Sequence, residues 1–467
     1  MNLTNDKKLT EKTLNAKLPV EFTDRMQTLL NDQMPDYLAS FSAPAVKAFH
    51  LNTAKTDPTV FDAWLSKHTP DFPAKRIPDS GIYITEAEKI GHHPLHHAGL
   101  VYSQDPSAQL VLDGVALSDD LRILDLCAAP GGKTSQLARA LDGGSGLLIA
   151  NEPHPGRCQI LLGNIERMGY RNVCVTSLQP EELANLYPEF FDLVVVDAPC
   201  SGEGMFREYP ESIGEWSIEN IEHCSARQRE ILQHAITCLR PGGRLVYSTC
   251  TYAPEEDEAQ IHFLQEEYCL LPDSVPAVVH NYALETESGC FRCYPHLFDG
   301  EGQFMSYLKK SGTADTPEIT SPRKSPLQPL SSKETAAFED LYQLPATQFS
   351  LFNWRGRIIV LPFSLPRLPS HHVMCLGVTA MEWDEKKKRY LPHHQFFSAY
   401  GSILPQHMDY APEDPELLQY IKGAELPAPA HFTKGHAAIC CMGACIGGAR
   451  CAGGRLKNLY PKGLREQ

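Results

Sequence analysis

From Val101 to about Lys310 the chain alternates short, unbroken apolar runs with longer stretches in which apolar residues recur every three or four positions. The runs at 122–126, 146–151, 173–177, 192–197 and 244–249 read as buried strands, because their apolar residues are consecutive rather than alternating. Between them, 157–169 predicts a helix with Ile160, Leu161, Ile165 and Met168 on one face and Gly169 as its stop. Ser225 followed by Gln228 has the form of a capping box and predicts a helix running to Arg240. Pro241-Gly242-Gly243 then turns the chain into the next strand. Strand, helix and strand in this rhythm predict an α/β fold with a parallel sheet.

The flanks read differently. Upstream, Glu21, Phe22, Met26, Leu29 and Leu30 have helical spacing and predict a small leading domain. Between 311 and 333 the composition shifts to Ser, Thr and Pro, as in a linker. Beyond it come short β-like runs, Arg357-Ile358-Ile359-Val360 and His436-Ala437-Ala438-Ile439-Cys440-Cys441 among them, punctuated by Gly and Pro. The expected division is 1–97, 98–310, a linker at 311–335, and an appended, mainly β part at 336–467.

Composition narrows the class. With 467 residues, 42% hydrophobic and 21% charged, the chain is an ordinary globular mix with room for several domains. No apolar run reaches the length of a membrane span, and the polar start Met1-Asn2-Leu3-Thr4-Asn5-Asp6-Lys7-Lys8 lacks the core of a signal peptide. Fifteen scattered cysteines, an odd number, fit a reducing compartment, so a cytoplasmic protein with no membrane partner is expected. The net charge of −15 argues against broad nonspecific nucleic-acid binding. It leaves room for a local basic surface, for which Arg455-Leu456-Lys457-Asn458-Leu459-Tyr460-Pro461-Lys462-Gly463-Leu464-Arg465 is the candidate.

Two cysteines carry the candidate chemistry. Cys200 lies in Asp197-Ala198-Pro199-Cys200-Ser201-Gly202 and Cys250 in Ser248-Thr249-Cys250-Thr251-Tyr252, each just past a predicted parallel strand. The carboxyl ends of such strands line one crevice, so both thiols are delivered to the same place. Chemistry with one nucleophile needs one activated cysteine. Two imply a covalent adduct made by one thiol and undone with help from the other.

The first strand-to-helix turn reads Cys127-Ala128-Ala129-Pro130-Gly131-Gly132-Lys133-Thr134. A phosphate loop would need glycine five positions before Gly132, where Cys127 stands, so that reading fails. What remains is a small-residue turn that lets a ligand approach the backbone at a helix start. Glu152 ends the next strand, where an acid bonds ribose hydroxyls in folds of this class, and with Asp197 it points to an adenosine-bearing cofactor. No metal is expected. Cys290 and Cys293 have zinc-like spacing without a partner pair, Cys440, Cys441, Cys445 and Cys451 are not paired as C-x-x-C, and His92, His93, His96 and His97 read as a solvated loop around Pro94.

Taken together these motifs resemble the Nop/Sun family of S-adenosylmethionine-dependent RNA 5-methylcytosine methyltransferases. The residues that carry the resemblance are 102–108, 127–134, 197–204, 248–257, Arg292-Cys293-Tyr294-Pro295-His296 and Gly300-Glu301-Gly302. The last residues, Leu456-Lys457-Asn458-Leu459-Tyr460-Pro461-Lys462-Gly463, are similar to the RNA-binding tail of its bacterial RsmF-type, 16S rRNA branch. The resemblance implies a Rossmann-like methyltransferase core, an N-terminal RNA-binding extension and a C-terminal PUA-like RNA-binding domain. It implies methylation of cytosine carbon 5 in RNA, most simply 16S rRNA or the small ribosomal subunit, by a monomer that uses S-adenosylmethionine. Cys250 is then the nucleophile that adds to carbon 6, and Cys200 is the base or thiolate that releases the product. Asp197 contacts the flipped base or the cofactor amine, and Lys133 places a charge near the base. The cofactor set is Cys127, Ala128, Ala129, Pro130, Gly131, Gly132, Lys133, Glu152, Gln179 and Asp197, with Gln179 standing where the family usually has aspartate. Two other readings stay open. DNA cytosine methylation would use Cys200 as nucleophile and leave Cys250 without a role. A noncatalytic ribosome-assembly clamp would need none of Cys200, Cys250, Asp197 and Glu152.

Overall fold

The computed structural model describes residues 18–68, 71–87, 89–313, 326–365, 367, 369 and 371–466. Four short strands come first, β1 (Lys47–Leu51), β2 (Ala74–Arg76), β3 (Ile82–Thr85) and β4 (Val101–Ser103), paired antiparallel in the order β2-β3-β1-β4. Helix α1 (Val20–Leu30) precedes them and buries Phe22, Met26 and Leu30, spaced four apart on one face. That face packs against Phe206, Tyr252 and Tyr294 of the following α/β part. The leading segment therefore rests on the loops that carry the candidate chemistry.

The apolar runs become the centre of a ten-stranded sheet. Its strands are β5 (Arg122–Asp125), β6 (Leu147–Asn151), β7 (Val173–Thr176), β8 (Phe191–Asp197), β9 (Leu239–Thr249), β10 (Leu271–Pro272), β11 (Leu284–Glu287), β12 (Cys290–Cys293), β13 (Gln303–Lys309) and β14 (Val373–Leu376). The order is β11-β12-β13-β9-β8-β5-β6-β7-β14, with β10 beside β13. The five strands from β7 to β9 are parallel, and the flanking strands run antiparallel. Separate apolar clusters cover the two faces, which is why these strands lack polar alternation. The chain runs outward through β6 and β7, then returns to place β8 and β9 on the other side of β5. The crevice at the strand ends around β5 is therefore a topological switch point, the place where such sheets bind ligands.

Helices α2 (Gly132–Ala140), α3 (Pro155–Met168), α4 (Pro180–Leu186) and α5 (Ile218–Cys238) connect the parallel strands. In α3 the buried face holds Cys158, Leu161, Ile165 and Met168, while Ile160, expected there, is 57% exposed. Gly169 closes this helix at φ +73°. Helix α5 starts a full two turns before the expected capping box: Ser217 is its N-cap and accepts from the Asn220 N–H at 3.0 Å. Ser225 and Gln228 lie inside the helix and turn toward the site. The Pro241-Gly242-Gly243 turn appears as a bulge in β9, where the register on β8 jumps from Phe191↔Leu239 to Leu193↔Arg244.

Residues 314–325 of the expected linker lie outside the described residues, and its last residues are structured. Ser331 caps a helix at Ser332–Tyr342. The appended part forms two five-stranded sheets, one over residues 328–392 and one over 407–458. It is also joined to the core, because β14 pairs antiparallel with β7. Cys440 and Cys445 face each other across a hairpin and form a disulfide. The histidine group is not a solvated loop. His97 bonds Tyr460 Oη and Glu466, both at 2.8 Å, and burial pushes His93 down to about 4 and His96 to about 2. Among the described residues no three metal-binding side chains converge, and no helix is long and apolar enough to cross a membrane.

Candidate active site

The cofactor side of the crevice is built at the ends of β5 and β6. The loop after Asp125 is held from several directions. The Ala128 N–H donates to Asn151 O at 2.9 Å, Ala129 O accepts from Arg157 at 2.8 Å, and Pro130 O accepts from Asn164 at 2.9 Å. Gly131 then enters α2 at φ +116°, a conformation that favours glycine. A Cβ at Gly132 would lie 2.6 Å from Gln104 Cδ, so any side chain there must displace Gln104. Asp125 is fully buried and bonds Thr134 Oγ1 through Oδ2 at 2.6 Å, while its Oδ1 has no partner. Burial raises Asp125 to about 7, and it pushes the half-buried Cys127 thiol up as well.

Glu152 follows β6 directly, its side chain 4% exposed, taking the His154 N–H at 2.9 Å and Arg157 at 3.2 Å. A carboxylate keeps lone pairs beyond those two contacts. The unpartnered Asp125 oxygen, the buried Glu152 carboxylate and the glycine turn fit a ligand that presents ribose hydroxyls and a cationic amine. S-adenosylmethionine is such a ligand. Gln179 is the exposed N-cap of α4, its N–H given to Glu182 at 2.9 Å.

The thiols are delivered by β8 and β9. Asp197 and Ser248 are register partners at the ends of these strands, and Cys200 and Cys250 follow three and two residues later. Their sulfurs lie 3.3 Å apart. The Cys200 thiol is held well above the ordinary thiol range, first by its hydrogen bond to Cys250, then by burial. Beside them Lys133, only 5% exposed, reaches Asp197 Oδ1 at 2.8 Å. Ser248 Oγ and Gln303 Nε2 converge on the same oxygen at 2.7 and 3.5 Å. The crevice thus holds a dithiol, a fixed cation and a carboxylate beside a cofactor cradle.

Comparison with known proteins agrees with this arrangement. Residues 18–106 match the N-terminal domain of 16S rRNA methyltransferase RsmF, residues 114–309 match 16S rRNA methyltransferase RsmB/F, and residues 408–466 match the methyltransferase RsmF PUA domain. A ribosomal RNA small subunit methyltransferase F from Escherichia coli O139:H28 is 30% identical over 483 residues, which cover 96% of this chain and 98% of the relative. The chain belongs to the RsmF family of rRNA methyltransferases. The Pectobacterium carotovorum protein of the same name is 32% identical over 336 residues, 68% of each chain. Among solved structures, a methyltransferase homologue from Pyrococcus horikoshii has a TM-score of 0.54 at 27% identity, covering 64% of this chain and 99% of its own. NSun6 from the same organism, solved with SFG, has a TM-score of 0.56 at 20% identity, covering 63% and 99%, and shows the shared fold. As an RsmF-family protein the chain is an RNA methyltransferase, and S-adenosylmethionine is its methyl donor.

The structure brings together Cys200 with Cys250, and Lys133 with Asp197, in this RsmF-family chain. It sets the 127–133 loop and Glu152 around one end of the crevice and leaves Gln179 at the surface. Sequence reasoning missed Asp125, although an acid at the end of the first parallel strand was a readable signal. It also missed Gln303, Glu203, Glu256 and Gln228, whose roles depend on pairings across long stretches of chain.

Proposed function

We propose that this protein methylates carbon 5 of a cytosine in 16S rRNA through a transient bond between Cys250 and carbon 6 of the base. The observation that carries this reading is the 3.3 Å thiol pair at the ends of neighbouring parallel strands, beside a cradle that suits the methyl donor. Carbon 5 of cytosine is a weak nucleophile. Addition of the Cys250 thiolate to carbon 6 breaks the ring double bond and makes carbon 5 enamine-like. S-adenosylmethionine supplies an electrophilic methyl group on sulfonium sulfur, held by residues 127–133, Glu152, Asp197 and Gln179. Carbon 5 would take that methyl as its bond to sulfur breaks, the electron pair staying on sulfur as a neutral thioether. With Cys250 bonded to carbon 6 its hold on the Cys200 proton is gone, and that proton passes to solvent; Cys200 as thiolate then removes the proton from carbon 5, and the electron pair re-forms the double bond and expels Cys250 as thiolate.

Lys133 sets a positive charge beside the base, and Asp197 orients it. The base must leave its stack to reach the crevice. The reading includes rRNA of the small subunit as partner, a cytoplasmic setting, action as a monomer, and the expected division at residues 97, 310 and 335.

Trapping separates the thiols. With 16S rRNA and S-adenosylmethionine, Cys200→Ala should form the adduct, fail to resolve it, and give a protein–RNA band that survives a denaturing gel. Cys250→Ala should give neither band nor methylation. Trapping by Cys250→Ala and not by Cys200→Ala would reverse the roles, as the DNA-type mechanism predicts.

A further inference from the structure

Behind the two thiols lies a polar chain that the reaction does not use directly. Ser201 follows Cys200 and Thr251 follows Cys250, and their hydroxyl oxygens are 2.8 Å apart. At one end, Ser201 Oγ is bonded to Glu256 Oε1. At the other, Thr251 Oγ1 donates to Glu203 Oε2 at 3.1 Å. Both carboxyl groups are buried, Glu256 completely. Glu256 Oε2 also takes the Ser201 N–H at 3.0 Å and Gln228 Nε2 at 2.8 Å, and Gln228 reaches Pro199 O at 3.1 Å. Cys200 is thus pinned through the residues on both its sides.

A count of hydrogens is decisive. The chain Glu256–Ser201–Thr251–Glu203 has three oxygen–oxygen contacts but only two hydroxyl hydrogens. If both carboxyls were ionised, each hydroxyl would point outward and the two oxygens 2.8 Å apart would face each other with no hydrogen between them. A third proton is needed, and the geometry says where it sits. Glu203 Oε2 already takes the Tyr252 N–H at 3.0 Å, and its Oε1 takes Trp216 Nε1 at 2.8 Å. Glu256 Oε1 bonds Ser201 Oγ alone, so it is free to carry a hydrogen. Glu256 then donates to Ser201, Ser201 to Thr251, and Thr251 to Glu203.

We propose that Glu256 is a positioning residue that works in its protonated form, its carboxyl hydrogen completing the chain that locks the two cysteine loops together. This rests on the dithiol reading above. Burial raises Glu256 to about 7, consistent with a proton held there near neutrality. The groups facing it are Glu203 and Cys200 beyond β8, Tyr247 on β9, Cys224 on α5 and Arg25 on α1, which is itself paired to Glu255 at 2.6 Å. Below about pH 7 the chain is complete; as pH rises through that value the proton leaves and the link between the loops opens.

Glutamine mimics the protonated acid, with its oxygen toward the Ser201 N–H and its amide hydrogens toward Ser201 Oγ. Glu256→Ala should lower kcat by about 100-fold with KM for RNA unchanged, the scale of a small misplacement of reacting groups. Glu256→Gln should restore kcat near neutral pH and abolish its decline on the alkaline side. Without RNA, iodoacetamide labelling of Cys200 and Cys250, read by peptide mass spectrometry, should show a step near pH 7 in the wild type on top of the ordinary rise with thiolate fraction, and only that ordinary rise in Glu256→Gln. That arm stands even if no RNA is methylated, so failure of the functional reading is distinguishable. Ser201→Ala, which keeps the backbone bond to Glu256, should show the same loss as Glu256→Ala in milder form. A glutamine variant as impaired as alanine, or one with wild-type labelling and the wild-type alkaline decline, would overturn the proposal.

Discussion

Arg292 offers a test of how the thiol-bearing strands are held. Its guanidinium lies over Phe304 and bonds Asp257 Oδ2 at 2.8 Å and Glu258 Oε2 at 2.7 Å, with side-chain exposures of 2%, 0% and 9% for the three groups. Asp257 in turn takes Thr249 Oγ1 at 2.6 Å, one residue before Cys250. Arg292→Met keeps an unbranched apolar stem and removes the charge, leaving two carboxyls buried without a cation. Breaking a buried pair in this way costs about 4 kcal/mol, close to a thousandfold in the unfolding constant. The pH dependence has a definite sign. Burial holds Asp257 well above its ordinary value, and Arg292 is the main group pulling it back down. Without Arg292, Asp257 takes a proton at higher pH than in the wild type. An acid whose folded value is raised binds its proton more tightly in the native state, so stability rises as pH falls through that window. Urea unfolding of both proteins at about pH 8 and again at about pH 5.5 should show the large gap at the first and a narrower one at the second, with Asp257→Asn in the variant background recovering part of the loss at about pH 8. A gap below about 1 kcal/mol at about pH 8, or one equal at both pH values, would refute the reasoning.

Two further outcomes follow from the cofactor side. Glu152→Ala should weaken S-adenosylmethionine binding by roughly tenfold or more, the scale of charged hydrogen bonds lost, and equal calorimetric affinities would move the ribose site elsewhere. Gly132→Ala drives a Cβ to within 2.6 Å of Gln104 Cδ, so it should destabilise by about 1–3 kcal/mol in thermal unfolding, and Gln104→Ala in the same chain should recover most of that.

The parallel strands were legible because burial on both faces leaves consecutive apolar residues, and the two thiols were legible because strand ends deliver side chains to one crevice. Polar residues that serve distant partners were not. Ser225 and Gln228 have the spacing of a cap, yet Ser225 Oγ donates to Glu255 O at 2.8 Å and Gln228 is spent on Glu256 and Pro199. Their local pattern and their tertiary use look alike in a string of letters. The histidines near Pro94 failed in the same way. Their partners Tyr460 and Glu466 are more than 360 residues away in sequence, beyond any local rule. Ile160 shows the limit of periodicity: Cys158 took the inward position two residues earlier, and a three- or four-residue spacing does not fix which edge of the stripe turns inward.

Strand β14 is four residues long, and it decides how the tail meets its substrate. A Ser-, Thr- and Pro-rich connection alone would leave the last hundred residues on a tether, free to grip RNA at many distances from the thiols. Backbone bonds between Val373–Leu376 and β7 remove that freedom. The span from the 407–458 sheet to Cys250 becomes a fixed length of the protein, like the jaws of a caliper. In the proposed reaction a nucleotide would then be chosen by how far it lies from RNA held on the tail, and the same cytosine on a differently folded strand would fall out of reach.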